Sequence, residues 1–381
     1  MMHAISSLAL RLLKLASLVL AAALPIGPYS LSAEAQTECK INGKVSDQSG
    51  KPVKDVRIYQ ATSPFQFYPP DSFLAVTDEQ GKWSAPVCVV PQSPSYCNFV
   101  WLKIAPIKPG YIFTNPVANV CGPFTEGQFS AAPAKFTGVS AASFNENMAL
   151  GSIVSLFGSN LTNVKATASS QPLPTELSGV KVVFQDMTTY SQSNNSSMGY
   201  FKPAPLFFVS DKQINLQIPA DVPNPVVITV RNEMGNIFAA SAFLFKTAPG
   251  VFSADMTGRG AAAAVVLRVK SDSSTSYEPV VVFNSAQNRF DYVPINVGFD
   301  TEEVFLVLFG TGIRKRSSMS TVTAKVGGVD AEVFYAAEQG YFSGLDQVNV
   351  QLPHTLAGRG EVDIELSVES QKANPVKVSI R

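Results

Sequence analysis

The chain has 381 residues, 46 % of them hydrophobic and 15 % charged, which is enough apolar material for packed cores and too little charge for a disordered chain. Lys plus Arg equals Asp plus Glu at 29 each. That balance leaves no electrostatic footprint for nucleic acid, and the length suits two or three domains of ordinary size.

Residues 1–35 read as a secretory signal peptide. Arg11 and Lys14 supply positive charge, Leu15 to Leu24 form a short apolar run, Pro25 breaks it, and Ala33-Glu34-Ala35 gives a small-x-small cleavage site. The apolar run is about half the roughly 20 residues a spanning helix needs. Cys39 follows Gln36-Thr37-Glu38 rather than small and aliphatic residues, which argues against a lipid-modified N-terminus. No later run is long enough to span a bilayer. The expected mature chain is secreted, to the periplasm, cell surface or medium, with no transmembrane segment.

The first predicted domain covers 37–130 and holds all four cysteines, Cys39, Cys88, Cys97 and Cys121. An even, clustered set in an exported chain predicts two disulfides, of which three connectivities are possible. A zinc site would need C-x-x-C spacing or histidine partners, and neither is present. Strand and turn signals alternate: Ile41-x-Gly43-x-Val45-x-Asp47, Gly50-Lys51-Pro52-Val53, Val56-x-Ile58, then Thr77-Asp78-x-x-Gly81-Lys82-Trp83 and Val100-Trp101-Leu102-x-Ile104 leading to Pro109-Gly110-Tyr111-Ile112-Phe113. These residues resemble the carboxypeptidase regulatory-like, transthyretin-related β-sandwich family. The resemblance implies a non-catalytic accessory module.

The remaining chain is predicted to hold two related domains, 136–248 and 249–381. Val154-Ser155-Leu156-Phe157-Gly158-Ser159-Asn160-Leu161 recurs as Leu306-Val307-Leu308-Phe309-Gly310-Thr311-Gly312-Ile313. Gly179-Val180 is matched with Gly328-Val329, and Gln213-Ile214-Asn215-Leu216-Gln217-Ile218-Pro219 with Gln347-Val348-Asn349-Val350-Gln351-Leu352-Pro353. The shorter spacing in the second copy places a surface insertion in the polar 186–200 stretch of the first. Together with Val139-Ser140-Ala141-Ala142-Ser143-Phe144, Ala204-Pro205-Leu206-Phe207-Phe208-Val209 and Ala248-Pro249-Gly250-Val251-Phe252, these motifs resemble a C-terminal domain family of exported Solibacter and other acidobacterial proteins. The strand followed by Phe-Gly-x-x-Leu also resembles immunoglobulin-like IPT/TIG domains. The resemblance implies Ig-like sandwiches outside the cytoplasm and names no substrate.

Period-two alternation throughout, with no long amphipathic helix in the mature chain, predicts an all-β protein: tandem β-sandwiches, one transthyretin-like and two Ig-like. Catalytic signals are missing. After signal removal the single histidine is His354, following Pro353 at a strand end, so the imidazole of a Ser-His-acid or Cys-His set is not supplied in a recognisable context. Gly258-Arg259-Gly260-Ala261-Ala262-Ala263 imitates a dinucleotide fingerprint but opens an apolar strand rather than a helix. Asp47, Asp78 and Asp272 are scattered turn residues rather than a converging calcium shell. No catalytic residue, metal or cofactor is therefore expected, although chain spacing leaves open a pair of carboxylates for glycoside hydrolysis.

Two candidate contact surfaces remain. The first is the aromatic segment from Tyr59 to Phe73, with Tyr59, Phe65, Phe67 and Tyr68 as its ligand contacts. The second is the amide stripe Gln213, Asn215, Gln217 and its counterpart Gln347, Asn349, Gln351, with the aromatic segment ranked above it. The functional expectation is a non-enzymatic binding, adhesion or structural protein with a glycan or envelope-protein partner. The alternatives are a carbohydrate-binding accessory protein and a hydrolase.

Overall fold

A computed structural model describes residues 40–61, 72–86, 102–114, 116–121, 126–188, 201–298 and 301–381. Among them the chain is all-β, with strands, two short 3-10 turns and no α-helix. No helix among the described residues is long and apolar enough to cross a membrane. Three hydrophobic cores follow one another along the chain, each closed between two sheets.

In the first module the strands Lys82–Pro86, Lys40–Asp47, Gly127–Pro133 and Tyr111–Phe113 form one sheet in that order, and Ala75–Val76, Arg57–Gln60, Leu102–Ile107 and Ala118–Val120 form the other. Alternation decides which side chains are buried: Ile41, Val45, Trp83, Ala85, Phe129 and Ala131 point into the core, and their strand neighbours point out. Trp83, Gly43 and Gly127 stand in one cross-strand row, and the missing side chains leave the space the indole fills. A Cβ on Gly43 would lie 1.9 Å from the backbone O of Gly127 and 2.7 Å from Trp83 Cζ2, and one on Gly127 would lie 2.6 Å from Trp83 Cζ2. Gly43→Ala should therefore destabilise the protein by about 1–3 kcal/mol through overpacking, with lowered near-ultraviolet indole ellipticity as the accompanying sign; an unchanged melting curve would refute this packing account.

Turn aspartates behave as turn chemistry requires. Asp47 Oδ1 accepts from the backbone N–H groups of Ser49 and Lys51, Asp78 Oδ1 from those of Gln80 and Lys82, and Asp272 Oδ1 from that of Ser274.

The second module pairs a five-stranded sheet with a four-stranded one. The first runs Ala166–Thr167, Leu206–Val209, Gln213–Gln217, Ile153–Gly158, Phe136–Ser140, and the second Phe201–Pro203, Lys181–Asp186, Val226–Arg231, Ile237–Ala242. The third module repeats the plan. Thr275–Pro279, Ala264–Val269, Glu303–Thr311, Asp346–Gln351 and Val333–Glu338 form one sheet, with Gly250–Val251 also on Glu303–Thr311. Val329–Ala331, Val322–Val326, Gly360–Val368 and Gln371–Lys372 form the other, with Val376–Ile380 also on Gly360–Val368.

The internal repeat is a repeat of register. Leu156 pairs with Ile214 and Phe157 with Gln213 in the first copy, as Leu308 pairs with Val348 and Phe309 with Gln347 in the second. The neighbouring strand carries an irregularity at the equivalent place, between Leu206 and Phe208 and between Val333 and Tyr335. The one correspondence that fails is Gly179 with Gly328. Gly328 lies in the tight turn joining Val322–Val326 to Val329–Ala331, whereas Gly179 precedes Lys181–Asp186, the strand that answers to Val322–Val326. A Gly-Val dipeptide serves two different turns. The longer connection of the first copy does fall between Lys181–Asp186 and Phe201–Pro203, and residues 189–200 within it lie outside the described residues.

Neighbouring modules are joined by packing. Met187, Val227, Phe243 and Phe245 of the second module belong to the core of the first, and Phe243 stacks on Tyr59 at 4.0 Å between centroids. Between the second and third, Thr311 Oγ1 accepts from Ile153 N at 2.8 Å and donates to Gly344 O at 2.8 Å. Gln371 Nε2 also reaches Thr247 Oγ1 at 3.2 Å.

Candidate functional site

The aromatic segment expected to make ligand contacts divides. Tyr59 is only 1 % exposed, enclosed by Phe243 on one side and Phe73 edge-on at 6.4 Å. It is therefore core rather than a contact residue. Sequence reasoning failed here because the partner ring comes from the next module, far along the chain. Phe65, Phe67 and Tyr68 lie outside the described residues. Of the cysteines, Cys121 is buried, and Cys39, Cys88 and Cys97 lie outside the described residues.

The amide stripes lie on outward faces of the two repeats. Ile214 and Leu216 point into one core and Val348 and Val350 into the other, so Gln213, Asn215, Gln217 and Gln347, Asn349, Gln351 are turned to the opposite side. In each copy the first glutamine donates from Nε2 to the asparagine Oδ1 at 2.8 Å, Gln213 to Asn215 and Gln347 to Asn349. Ser155 Oγ adds a second donor to Asn215 Oδ1 at 3.0 Å. These bonds fix the orientation of both amides. Each pair is left with an acceptor, the glutamine Oε1, beside a donor, the asparagine Nδ2.

Aromatic rings flank the same amides at equivalent positions. Phe157 stands opposite Gln213 and Phe208 opposite Asn215; Phe309 stands opposite Gln347 and Tyr335 opposite Asn349. In the second copy Phe305 lies opposite Gln351 and meets Phe334 edge-on at 5.2 Å. Beyond it Leu267 and then Tyr277 continue the row, with Tyr277 69 % exposed. Cross-strand neighbours share a face, so each repeat presents a sheet surface of rings and uncharged amides.

Sequence alone identified the amides and missed the rings. Phe157 and Phe309 were readable, since alternation sets them opposite the buried Leu156 and Leu308. Phe208 and Tyr335 were not, because the irregularity in their strands breaks strict alternation.

Charged groups border the second face: exposed Glu303 lies in line with Phe305, exposed Glu332 accepts through its backbone O from Gln351 N, and Arg314 is bound to the fully buried Asp346 at 2.7 Å and to Glu338 at 3.2 Å. Another carboxylate, Glu278, is bonded to Arg268, which holds its carboxyl below the usual glutamate value. That is the wrong direction for a general acid. His354 is exposed in a 3-10 turn. Among the described residues no group of three or more His, Cys, Asp or Glu side chains could hold a metal ion.

The fold and faces together define an all-β multidomain protein with a repeated sheet surface of rings and amides. Comparison with protein-family models finds no match, and comparison with the curated proteins finds no related sequence.

Proposed function

We propose that this chain is an exported, non-catalytic binding protein of the cell envelope or extracellular space, and that its ligand is a neutral glycan held on the two repeated faces. The supporting observation is the recurrence of one constellation, a hydrogen-bonded Gln–Asn pair bordered by rings, in the same register on both repeats. A sugar hydroxyl both donates and accepts, which suits an amide pair offering one of each. Aromatic rings cover the C–H faces of the sugar, and the neutral amides suit a neutral polymer. Export follows from the signal-like 1–35 segment, and oxidation of Cys39, Cys88, Cys97 and Cys121 into two disulfides belongs to the same reading.

The test is affinity electrophoresis of the purified chain in gels containing hydroxyethylcellulose, mixed-linkage β-glucan, galactomannan or, as an anionic control, pectin. Retardation by at least one neutral polymer, insensitive to salt, is expected. Replacing Gln347 and Asn349 by Ala should weaken that binding roughly tenfold, at about 0.5–1.5 kcal/mol per hydrogen bond. Retardation by pectin alone, abolished by salt, would overturn the reading. Steady release of reducing ends would favour a hydrolase.

A further inference from the structure

The strands that carry the second face are joined by a longer connection than those of the first. Residues 210–212 link Leu206–Val209 to Gln213–Gln217, whereas residues 339–345 link Val333–Glu338 to Asp346–Gln351. This longer loop is held from several sides. Gln339 Oε1 accepts from the backbone N–H groups of Tyr341 and Phe342 at 3.0 and 3.2 Å. Arg314 Nη2 donates to Leu345 O at 2.8 Å, and Ser343 Oγ donates to Gln171 Oε1 of the second module at 3.2 Å. Gly344 takes φ +73°, and a Cβ there would lie 2.6 Å from Ile153 Cγ1 and 3.3 Å from Gln217 Cγ. The loop of the second face is thus seated on the edge of the first, against the residue that ends its amide stripe.

Although the backbone is fixed, its two aromatic side chains point away from the protein. Tyr341 is 85 % exposed and Phe342 64 %, and neither packs on another aromatic ring among the described residues. Folding gains little from either ring, so their contribution lies elsewhere. We infer that Tyr341 and Phe342 form a stacking platform at the seam, joining the two faces into one track for a single neutral polysaccharide strand that runs from repeat to repeat. The inference rests on the glycan reading, and continuity argues for it: Gly344 of the loop lies so near Gln217 of one face that a Cβ on it would stand 3.3 Å from Gln217 Cγ, and the loop runs directly into the strand bearing Gln347. Sites joined in this way gain affinity for a long ligand without gaining it for a short one.

The experiment compares wild type, Tyr341→Ala/Phe342→Ala and Tyr341→Phe/Phe342→Tyr by isothermal titration with hydroxyethylcellulose, β-glucan and galactomannan and with four-sugar fragments of each. The alanine pair should weaken polymer binding at least tenfold, leave fragment affinity and the melting temperature unchanged, and be rescued by the ring-preserving pair. Polymer affinity equal to wild type in the alanine pair overturns the platform while leaving the glycan reading intact. Absence of binding to every neutral polymer and fragment by wild type overturns the glycan reading, and the platform with it. Co-sedimentation with phosphatidylglycerol vesicles that is lost in the alanine pair, without polymer binding, would assign the rings to a lipid surface and also overturn the proposal.

Discussion

Arg314→Leu is expected to destabilise the third module by about 3–5 kcal/mol, the usual cost of stripping one partner from a buried ion pair. Asp346 has no exposed surface, and it accepts from Arg314 Nε at 2.7 Å, from Ile313 N at 2.7 Å and from Arg314 N at 3.2 Å. Burial pushes its carboxyl above the ordinary aspartate value, and the Arg314 charge opposes that push. Without the guanidinium the opposition goes and the carboxyl rises further. A raised folded-state value means that the protonated form is favoured in the fold, so this group's contribution is most favourable below the unfolded value near 3.8 and is lost as pH rises through the folded one. The penalty of Arg314→Leu should therefore be large at pH 7 and shrink towards pH 4. Adding Asp346→Asn, which keeps an oxygen for the two backbone donors, should recover part of it. Urea titrations at both pH values check this, and a penalty independent of pH would refute the buried-charge account. The same variant removes a bond to Leu345 O and should loosen the loop bearing Tyr341 and Phe342.

Phe243→Ala should cost a comparable amount, about 3–5 kcal/mol for a fully buried ring, and spread the loss over two modules. Phe243 stacks on Tyr59 at 4.0 Å and meets Phe245 at 5.4 Å, within a core that contains Ile58, Ile104 and Val120 of the first module. Amide hydrogen exchange resolves where the effect falls. Protection at Ile58 and Ala105 should drop with that at Val227, while Leu308 and Val348 in the third core keep theirs. Loss confined to the second module would show that the first does not depend on this junction.

The fold was legible wherever two-residue alternation ran unbroken. Lys40–Asp47, Gln213–Gln217 and Asp346–Gln351 each bury the side chains that alternation assigns to the core, and the repeat of Phe-Gly and Gln-x-Asn-x-Gln landmarks anticipated two copies in one register. What escaped was set by contacts between distant segments. Tyr59 reads as the start of an aromatic loop until Phe243 is placed on it. The rings around the amides depend on which strands pair and on an irregularity that no spacing rule records. Tyr341 and Phe342 look like ordinary loop residues in sequence, and they become notable only where the loop is pinned and the rings are not.

The most direct measurement of the central claim is the affinity of wild type and of the Gln213→Ala/Asn215→Ala/Gln347→Ala/Asn349→Ala variant for the neutral polysaccharide that retards wild type, at low and high salt, with melting temperatures taken in parallel. These amides project from the faces opposite the two cores, so the variant should melt within a few degrees of wild type. The account predicts a loss of about thirtyfold or more in affinity, independent of salt, as expected for four neutral hydrogen-bonding side chains at about 0.5–1.5 kcal/mol each. Undiminished binding by the folded variant would contradict it, because the ligand would then lie elsewhere on the molecule.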